Sequence, residues 1–300
     1  MKETVALLAP ERGGTFVDCT LGLGGHAAAL LEAGPEIRLI GIDRDQQALA
    51  MAAERLRPYG DRVQLVQGEF AELTELLEQD GVQKVDGILA DLGVSSLQLE
   101  TASRGFSFRL EGPLDMRMGP GELTAADVVN DYAEGKLEEI FRAYGEERQA
   151  RRIARAVAES REEKPIESTT QLREIVARAK RYGASYQKRK IDPATRVFQA
   201  IRIEVNRELA GLDQLLDQAV RLLRDNGRLV VISYHSLEDR KVKNRLRDLA
   251  RGEIDQITGR PRSETQVIEV LTKRPLRPGE DELAMNPRAR SARLRAARRI

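Results

Sequence analysis

The chain has 300 residues, 41% of them hydrophobic and 32% charged, and its 49 basic and 48 acidic side chains leave a formal net charge of +1. That composition is of a well-solvated folded protein long enough for two lobes, not of a disordered or membrane-embedded one, since no apolar run approaches the ~20 residues of a spanning helix. Cys19 is the single cysteine, which excludes an intrachain disulfide and a cysteine-rich zinc site, and no signal-peptide pattern opens the chain. A cytoplasmic, reducing setting without membrane association is expected, and any nucleic-acid contact has to come from local basic clusters.

In chain order, the first third alternates short apolar runs, "TFVDCT", "RLIGID", "VQLVQG" and "VDGILADLG", with amphipathic segments. Strands separated by helices of this length predict right-handed crossovers and a mostly parallel, doubly wound α/β sheet. The segment after Asp43 sets Ala48, Leu49, Ala52 and Leu56 on one helical face and stops at Pro58 and Gly60. From Ser103 to Leu123, glycine, proline and methionine without periodicity predict a long irregular loop. The next stretch is helical: Ile153, Ala156 and Val157 form one stripe, and Ser168 with Gln171 has capping-box spacing before Leu172, Ile175, Val176 and Ala179. Residues 110–196 thus read as an all-helical insertion between two parts of the α/β domain, 1–109 and 197–300. The second part opens on one long helix, "VFQAIRIEVNRELAGLDQLLDQAVRLL", ended by Asn226-Gly227 and succeeded by the strand "RLVVIS".

The turn "FVDCTLGLGGH" carries the chemistry. Gly22, Gly24 and Ala27 in Gly22-Leu23-Gly24-Gly25-His26-Ala27 fit the loose G-x-G-x-x-G/A pattern, and Asp43 lies at the end of the next strand, so a nicotinamide dinucleotide is one candidate ligand. Asp18 argues otherwise. A carboxylate beside the glycines disfavours a pyrophosphate and favours a cationic ligand, and S-adenosylmethionine, with its ammonium and sulfonium, is such a ligand. In that reading Gly22, Gly24 and Gly25 admit the cofactor to the backbone and Asp43 accepts bonds from its ribose; the alternative is that Asp18 only caps its own turn. Phe70, in "GEF" at the next strand end, is a candidate to lie against an adenine ring, or simply a core residue.

The strings "ADLGVSSLQLE", "RGFSF", "GPLDMRM", "ATRVFQAIRIEVNREL", "SYHSLEDR" and "NPRARSARLR" occur in order over nearly the whole chain. Together they resemble the bacterial 16S ribosomal RNA (cytosine-N4)-methyltransferase family. The resemblance implies a class I methyltransferase fold with an inserted helical domain and S-adenosyl-L-methionine as donor. It also implies 16S ribosomal RNA, within the small ribosomal subunit, as partner and substrate. The cofactor contacts it implies are Gly24, Gly25, His26, Asp43, Phe70, Asp91 and Gln98. Two departures stand out. Family members carry a short His/Pro/Val-rich segment before the first helix, where this chain runs from Met1 into "KETVALLAP", so the pocket edge is expected to be built differently; and Leu97 replaces a common proline, which is expected to loosen the Gln98 turn.

Cytosine N4 is a poor nucleophile because its lone pair is delocalised into the ring, so an acceptor for its hydrogens is required. Asp91, at a strand end, is the expected one. Ser233, Tyr234 and His235 come directly after an apolar strand and are expected to rim the same cleft, Tyr234 stacking on a flipped base. Phe106 in the irregular segment, Lys188, Arg189 and Lys190 in "KRYGASYQKRK", and Arg288 and Arg290 in the six-arginine tail are the expected RNA contacts. Metal catalysis receives little support from the composition. The rival readings are an RNA-binding ribosome-assembly factor that keeps the fold without turnover and, from the glycine loop alone, a nicotinamide-dependent oxidoreductase.

Overall fold

The computed structural model describes residues 1–180, 192–254, 260 and 262–300. By internal contacts the chain divides into a unit made of Met1–Gly93 with Leu209–Ile300 and a continuous unit Val94–Glu208.

The first unit begins with α1 (Lys2–Leu8), β1 (Gly14–Asp18), α2 (Gly25–Ala33), β2 (Ile37–Asp43), α3 (Gln46–Leu56), β3 (Val63–Gln67), α4 (Leu73–Gln79) and β4 (Val85–Asp91). The strands pair in parallel, β1 between β2 and β4, as the alternation of apolar runs and helices predicts. Their side chains alternate between two cores. Phe16, Leu39 and Leu89 pack with Leu8, Leu30 and Leu56 on one face; Val17, Ile40 and Ile88 pack with Leu73, Leu77 and Leu215 on the other. Burial on both faces is why these strands read as continuous apolar runs.

The second unit is all-helical: α5 (Ser96–Glu100), α6 (Ala125–Asp131), α7 (Glu134–Ala143), α8 (Ala150–Glu163), α9 (Thr169–Ala179) and α10 (Thr195–Asn206). The expected capping box opens α9, with Ser168 Oγ accepting the Gln171 N–H at 3.2 Å and Gln171 Oε1 accepting the Ser168 N–H at 3.1 Å. The unit is wider than the expected 110–196, because the irregular segment is part of its core. Phe106, Leu114, Met116 and Met118 are buried with Phe141, Val157, Leu172 and Phe198. Lys188, Arg189 and Lys190 lie outside the described residues.

The expected long helix is two. Arg207 is left-handed (φ 49°, ψ 33°) and separates α10 from α11 (Glu208–Leu222). Nothing in "EVNREL" breaks a helical period. The break is set by tertiary bonds, Asn206 accepting the Met118 N–H at 2.9 Å and donating to the Met116 carbonyl at 2.8 Å. Likewise the helix stops at Leu222, before Asn226-Gly227. Those two residues sit in an irregularity inside β5 (Leu223–Ser233), where Leu223 pairs with Val85 but Arg228 pairs with Gly87.

The first unit then adds α12 (Ser236–Arg251), β6 (Ile268–Val270), α13 (Glu280–Met285) and β7 (Arg293–Arg299), and its sheet runs β3-β2-β1-β4-β5-β7-β6 with β7 antiparallel to both neighbours. The six-arginine tail is therefore largely a sheet strand and not a free basic tail. Arg295 is buried, and Asp239 of α12 accepts from Arg295 Nε at 2.7 Å and from Arg293 Nη1 at 3.0 Å, which is how a strand this basic is neutralised. Among the described residues no helix is long and apolar enough to cross a membrane.

Candidate functional site

Order in this sheet reverses between β1 and β4, and the carboxyl ends of strands flanking such a switch point form the ligand crevice of an open α/β sheet. Asp18 ends β1, Asp43 ends β2 and Asp91 ends β4, so the parallel register brings all three to one edge. The turn after β1 is held by its own amides. Cys19 N–H donates to the Leu89 carbonyl at 2.8 Å, Leu21 to Ile42 at 2.9 Å and Gly24 to Leu21 at 2.8 Å. Thr20 N–H donates to Asp18 Oδ1 at 3.1 Å, and Gly22 N–H to Asp43 Oδ2 at 2.8 Å. These bonds fasten the turn to the ends of three strands and fix where Asp18 and Asp43 stand. Gly24 enters α2 at φ 74°, where a Cβ would lie 3.3 Å from Leu56, so the tight turn needs glycine there.

Electrostatically the crevice is acidic. Burial, reinforced by the charges of Asp91 and Asp43, pushes Asp18 up to about 7, against the lowering pull of the Thr20 amide. Burial likewise pushes Asp91 up to about 7, while the Tyr234 hydroxyl turned toward it pulls the other way. Asp91 Oδ1 is sealed from solvent and has no hydrogen-bond partner. Asp43 is also raised by burial, although Asp45 N–H at 2.9 Å and Gly22 N–H each bond one of its oxygens. Each of those oxygens keeps a second lone pair, so Asp43 both fastens the turn and remains an acceptor. His26, its Nδ1 3.6 Å from Asp91 Oδ2, is driven down to about 4 by burial, so it supplies no positive charge at neutral pH. Burial and the Asp91 carboxylate together hold the Tyr234 phenol far above its ordinary range.

Several expected site residues have other employment. Ser233 is buried and donates from Oγ to the Arg293 carbonyl at 3.3 Å, so it faces β7 and does not rim the crevice. His235 is the N-cap of α12. Its Nδ1 accepts the Glu238 N–H at 3.4 Å, which leaves the ring proton on Nε2, 3.1 Å from Glu238 Oε1. Phe106 is buried in the helical unit's core beneath Arg104, which removes it as an exposed RNA contact. Gln98, also in that unit, is buried and closes a capping box, its Oε1 accepting the Ser95 N–H at 3.0 Å. That box fixes the turn that Leu97 was expected to loosen. Phe70 is half-buried, against the core and beside Gly211, where a Cβ would lie 3.1 Å from its ring.

Two residues that hold the site were not singled out from the sequence. Thr20 Oγ1 accepts the Asp91 N–H at 2.6 Å and its own N–H bonds Asp18, so it clamps the two carboxylate-bearing turns together. Buried Glu238 accepts the Tyr234 and His235 amides at 2.9 and 3.2 Å and so fixes where Tyr234 points. Histidine is not among the usual N-cap residues, so the box that His235 and Glu238 form was not legible in the sequence.

Carboxyls raised by desolvation and an orphaned Asp91 oxygen make a receptor for a cation that carries hydrogen-bond donors, and S-adenosylmethionine fits that description. With the 3-2-1-4-5-7-6 sheet and its reversed seventh strand, they define a class I methyltransferase and end the nicotinamide reading. The model of the MraW methylase family matches residues 1–300, and the chain belongs to that family. Proteins named ribosomal RNA small subunit methyltransferase H are full-length relatives. That of Geotalea uraniireducens is 50% identical over 303 residues, covering 99% of this chain and 96% of its own. That of Trichlorobacter lovleyi is 47% identical over 308 residues, covering 100% and 96%. A solved structure described as a putative rRNA-methylase from Clostridium thermocellum aligns with 100% of this chain and 92% of its own, at 13% identity and a TM-score of 0.44. The chain is an S-adenosylmethionine-dependent ribosomal RNA methyltransferase.

The division of labour in the crevice predicts distinct mutant phenotypes. Asp43→Ala frees the Gly22 and Asp45 amides and should weaken S-adenosylmethionine binding by ~10–100-fold in titration calorimetry. Tyr234→Ala should leave that affinity within about threefold and slow methyl transfer instead. Equal losses of affinity in both variants would refute the assignment.

Proposed function

We propose that the protein transfers a methyl group to the exocyclic N4 of a cytidine in the decoding region of 16S ribosomal RNA. Its substrate is the RNA within the small ribosomal subunit, which puts the enzyme in the cytoplasm. The observation that supports this reading is the full-length likeness to proteins named ribosomal RNA small subunit methyltransferase H, together with the carboxylates of Asp18 and Asp91 at the ends of adjacent strands.

When bound, S-adenosylmethionine supplies an electrophilic methyl carbon on a positively charged sulfur. Asp18, Asp43, Phe70 and the glycine turn with Gly22, Gly24, Gly25 and His26 are the residues that would hold and orient that cation. Asp91 would accept a hydrogen bond from N4, which localises the nitrogen lone pair for attack, and take the proton that N4 loses as the methyl carbon passes from sulfur to nitrogen, with the neutral thioether as leaving group. Burial raises Asp91 in the free protein, and a bound cation would ionise it, so that it meets N4 as a carboxylate able to accept the proton. Tyr234 holds Asp91 in place and offers a face for the extruded base. His235 acts as a positioning residue through its cap on α12. Arg288 and Arg290, both exposed, contact RNA phosphates.

The test is methyl transfer from radiolabelled S-adenosylmethionine to small subunits lacking the modification, with nucleoside analysis of the product. N4-methylcytidine is the expected result. Cofactor binding and subunit binding without any incorporation would favour the assembly-factor reading.

A further inference from the structure

Leu276 and Leu294 exchange two backbone hydrogen bonds of 2.9 Å, and between them the chain makes an excursion at the carboxyl end of β5, because Arg293 pairs with Ser233. This is the sheet edge that carries Tyr234 and the aspartates. The charge of Glu282, in the first turn of α13, is felt at both Asp91 and Tyr234. The excursion has two chemically distinct ends. Glu280, Asp281 and Glu282 open α13, whereas its last residue is Met285, with Asn286, Pro287, Arg288 and Arg290 beyond it.

Met285 is 82% exposed, the highest value among the large hydrophobic residues described, the next being Ile300 at 52%. Arg288 and Arg290 are exposed within five residues of it, and Arg277 is exposed at the start of the excursion. The backbone that carries them is fixed. Asn286 N–H donates to the Glu282 carbonyl at 2.7 Å, Ala289 N–H to Asn286 at 3.0 Å and Ala292 N–H to Ala289 at 2.8 Å, and Ala289 is buried beneath the turn. A long, unbranched, polarizable side chain is thus held in water close along the chain to guanidinium groups. Asp281 and Glu282 lie one turn before Met285, so the arginines that follow it, Arg288 and Arg290, are where an RNA backbone would approach, with the thioether side chain next to them offered to a base face.

We propose that this excursion docks single-stranded RNA flanking the target cytidine, Met285 lying against an unstacked base and Arg288 and Arg290 against the neighbouring phosphates. The proposal rests on the methyltransferase reading for the identity of the RNA. It adds an apolar contact to what would otherwise be charge alone, and so separates base contact from phosphate contact.

The test uses the full chain and small subunits lacking the modification, with subunit binding measured over a salt series, initial rates, and S-adenosylmethionine calorimetry. Arg288→Glu combined with Arg290→Glu should raise KM for subunits ~10-fold or more and reduce the slope of log K against log salt by about two, with cofactor affinity unaffected. Met285→Ser should raise KM by ~3–10-fold and leave the salt slope unchanged. A photocrosslinker placed through Met285→Cys should react with ribosomal RNA beside the target; Cys19 is buried and does not compete for the label. Wild-type KM and slope in the charge-reversed variant, or crosslinks into ribosomal protein in place of RNA, would overturn the proposal. Subunit binding that responds to these variants while even the unaltered protein transfers no methyl would uphold the docking surface and sink the methyl-transfer reading.

Discussion

Asp91→Asn is expected to lower kcat for methyl transfer by ~10²–10⁴-fold, which is about 3–5 kcal/mol of barrier. Asparagine keeps the shape and one acceptor oxygen, so the N4 hydrogen bond survives in part, but an amide cannot take the proton that N4 must lose. The backbone bond from Asp91 N–H to Thr20 Oγ1 is indifferent to the substitution, so the turn stays in place. Cofactor affinity should fall by less than about tenfold, because Asp18 and Asp43 remain to hold the cation. Single-turnover incorporation and cofactor calorimetry separate the two effects. A variant that methylates at the wild-type rate would mean that N4 releases its proton directly to solvent and that alignment alone carries the reaction.

The second large effect is the pH dependence of binding and stability. Without cofactor, Asp18 and Asp91 hold protons up to about pH 7, whereas the unfolded chain releases them near 3.8. Between those values the folded state binds more protons than the unfolded state, so the stability of the free protein falls as pH rises from about 4 to about 7 and levels off above. Cofactor binding runs the opposite way. A cation favours the ionised carboxyls, so below pH 7 affinity should rise with pH, approaching ~10-fold per unit for each group that must ionise, and binding should release protons. Calorimetry in buffers of different ionisation enthalpy measures that release. Asp18→Asn keeps the acceptor for the Thr20 amide but cannot ionise, so at pH 8 it should raise the melting temperature of the free protein and weaken S-adenosylmethionine binding. A flat affinity profile between pH 5.5 and 8 would show that the carboxyls ionise before the ligand arrives.

Much of the site was legible because its parts are local. The glycine turn, Asp18 before it, and the acids that end β2 and β4 sit at strand ends, and strand ends can be read from the apolar runs. The same locality made the Ser168 and Gln171 box readable, since a cap is satisfied within one turn. Ser233 and Phe106 misled for a common reason. Each lies in an irregular or strand-end motif that looks exposed, yet Ser233 faces a strand contributed by residues sixty positions later and Phe106 is covered by helices later in the chain.

The sequence by itself determined the parallel half of the sheet, the helical character of the insertion, the family and the charge of the crevice, because each rests on a short-range pattern or on residue identity. Only the tertiary structure decided that the arginine-rich tail is a strand. Period-two alternation in "RLRAARR" lasts only from Arg293 to Ala296, too short to outweigh its charge, and its burial is made possible by Asp239 reaching across from α12. It alone decided that the long helical pattern breaks at Arg207, where Asn206 gives its side chain to the segment at Met116 and Met118. And it alone raised Asp18 and Asp91 to about 7, since desolvation depends on what surrounds a group in space and not on its neighbours along the chain.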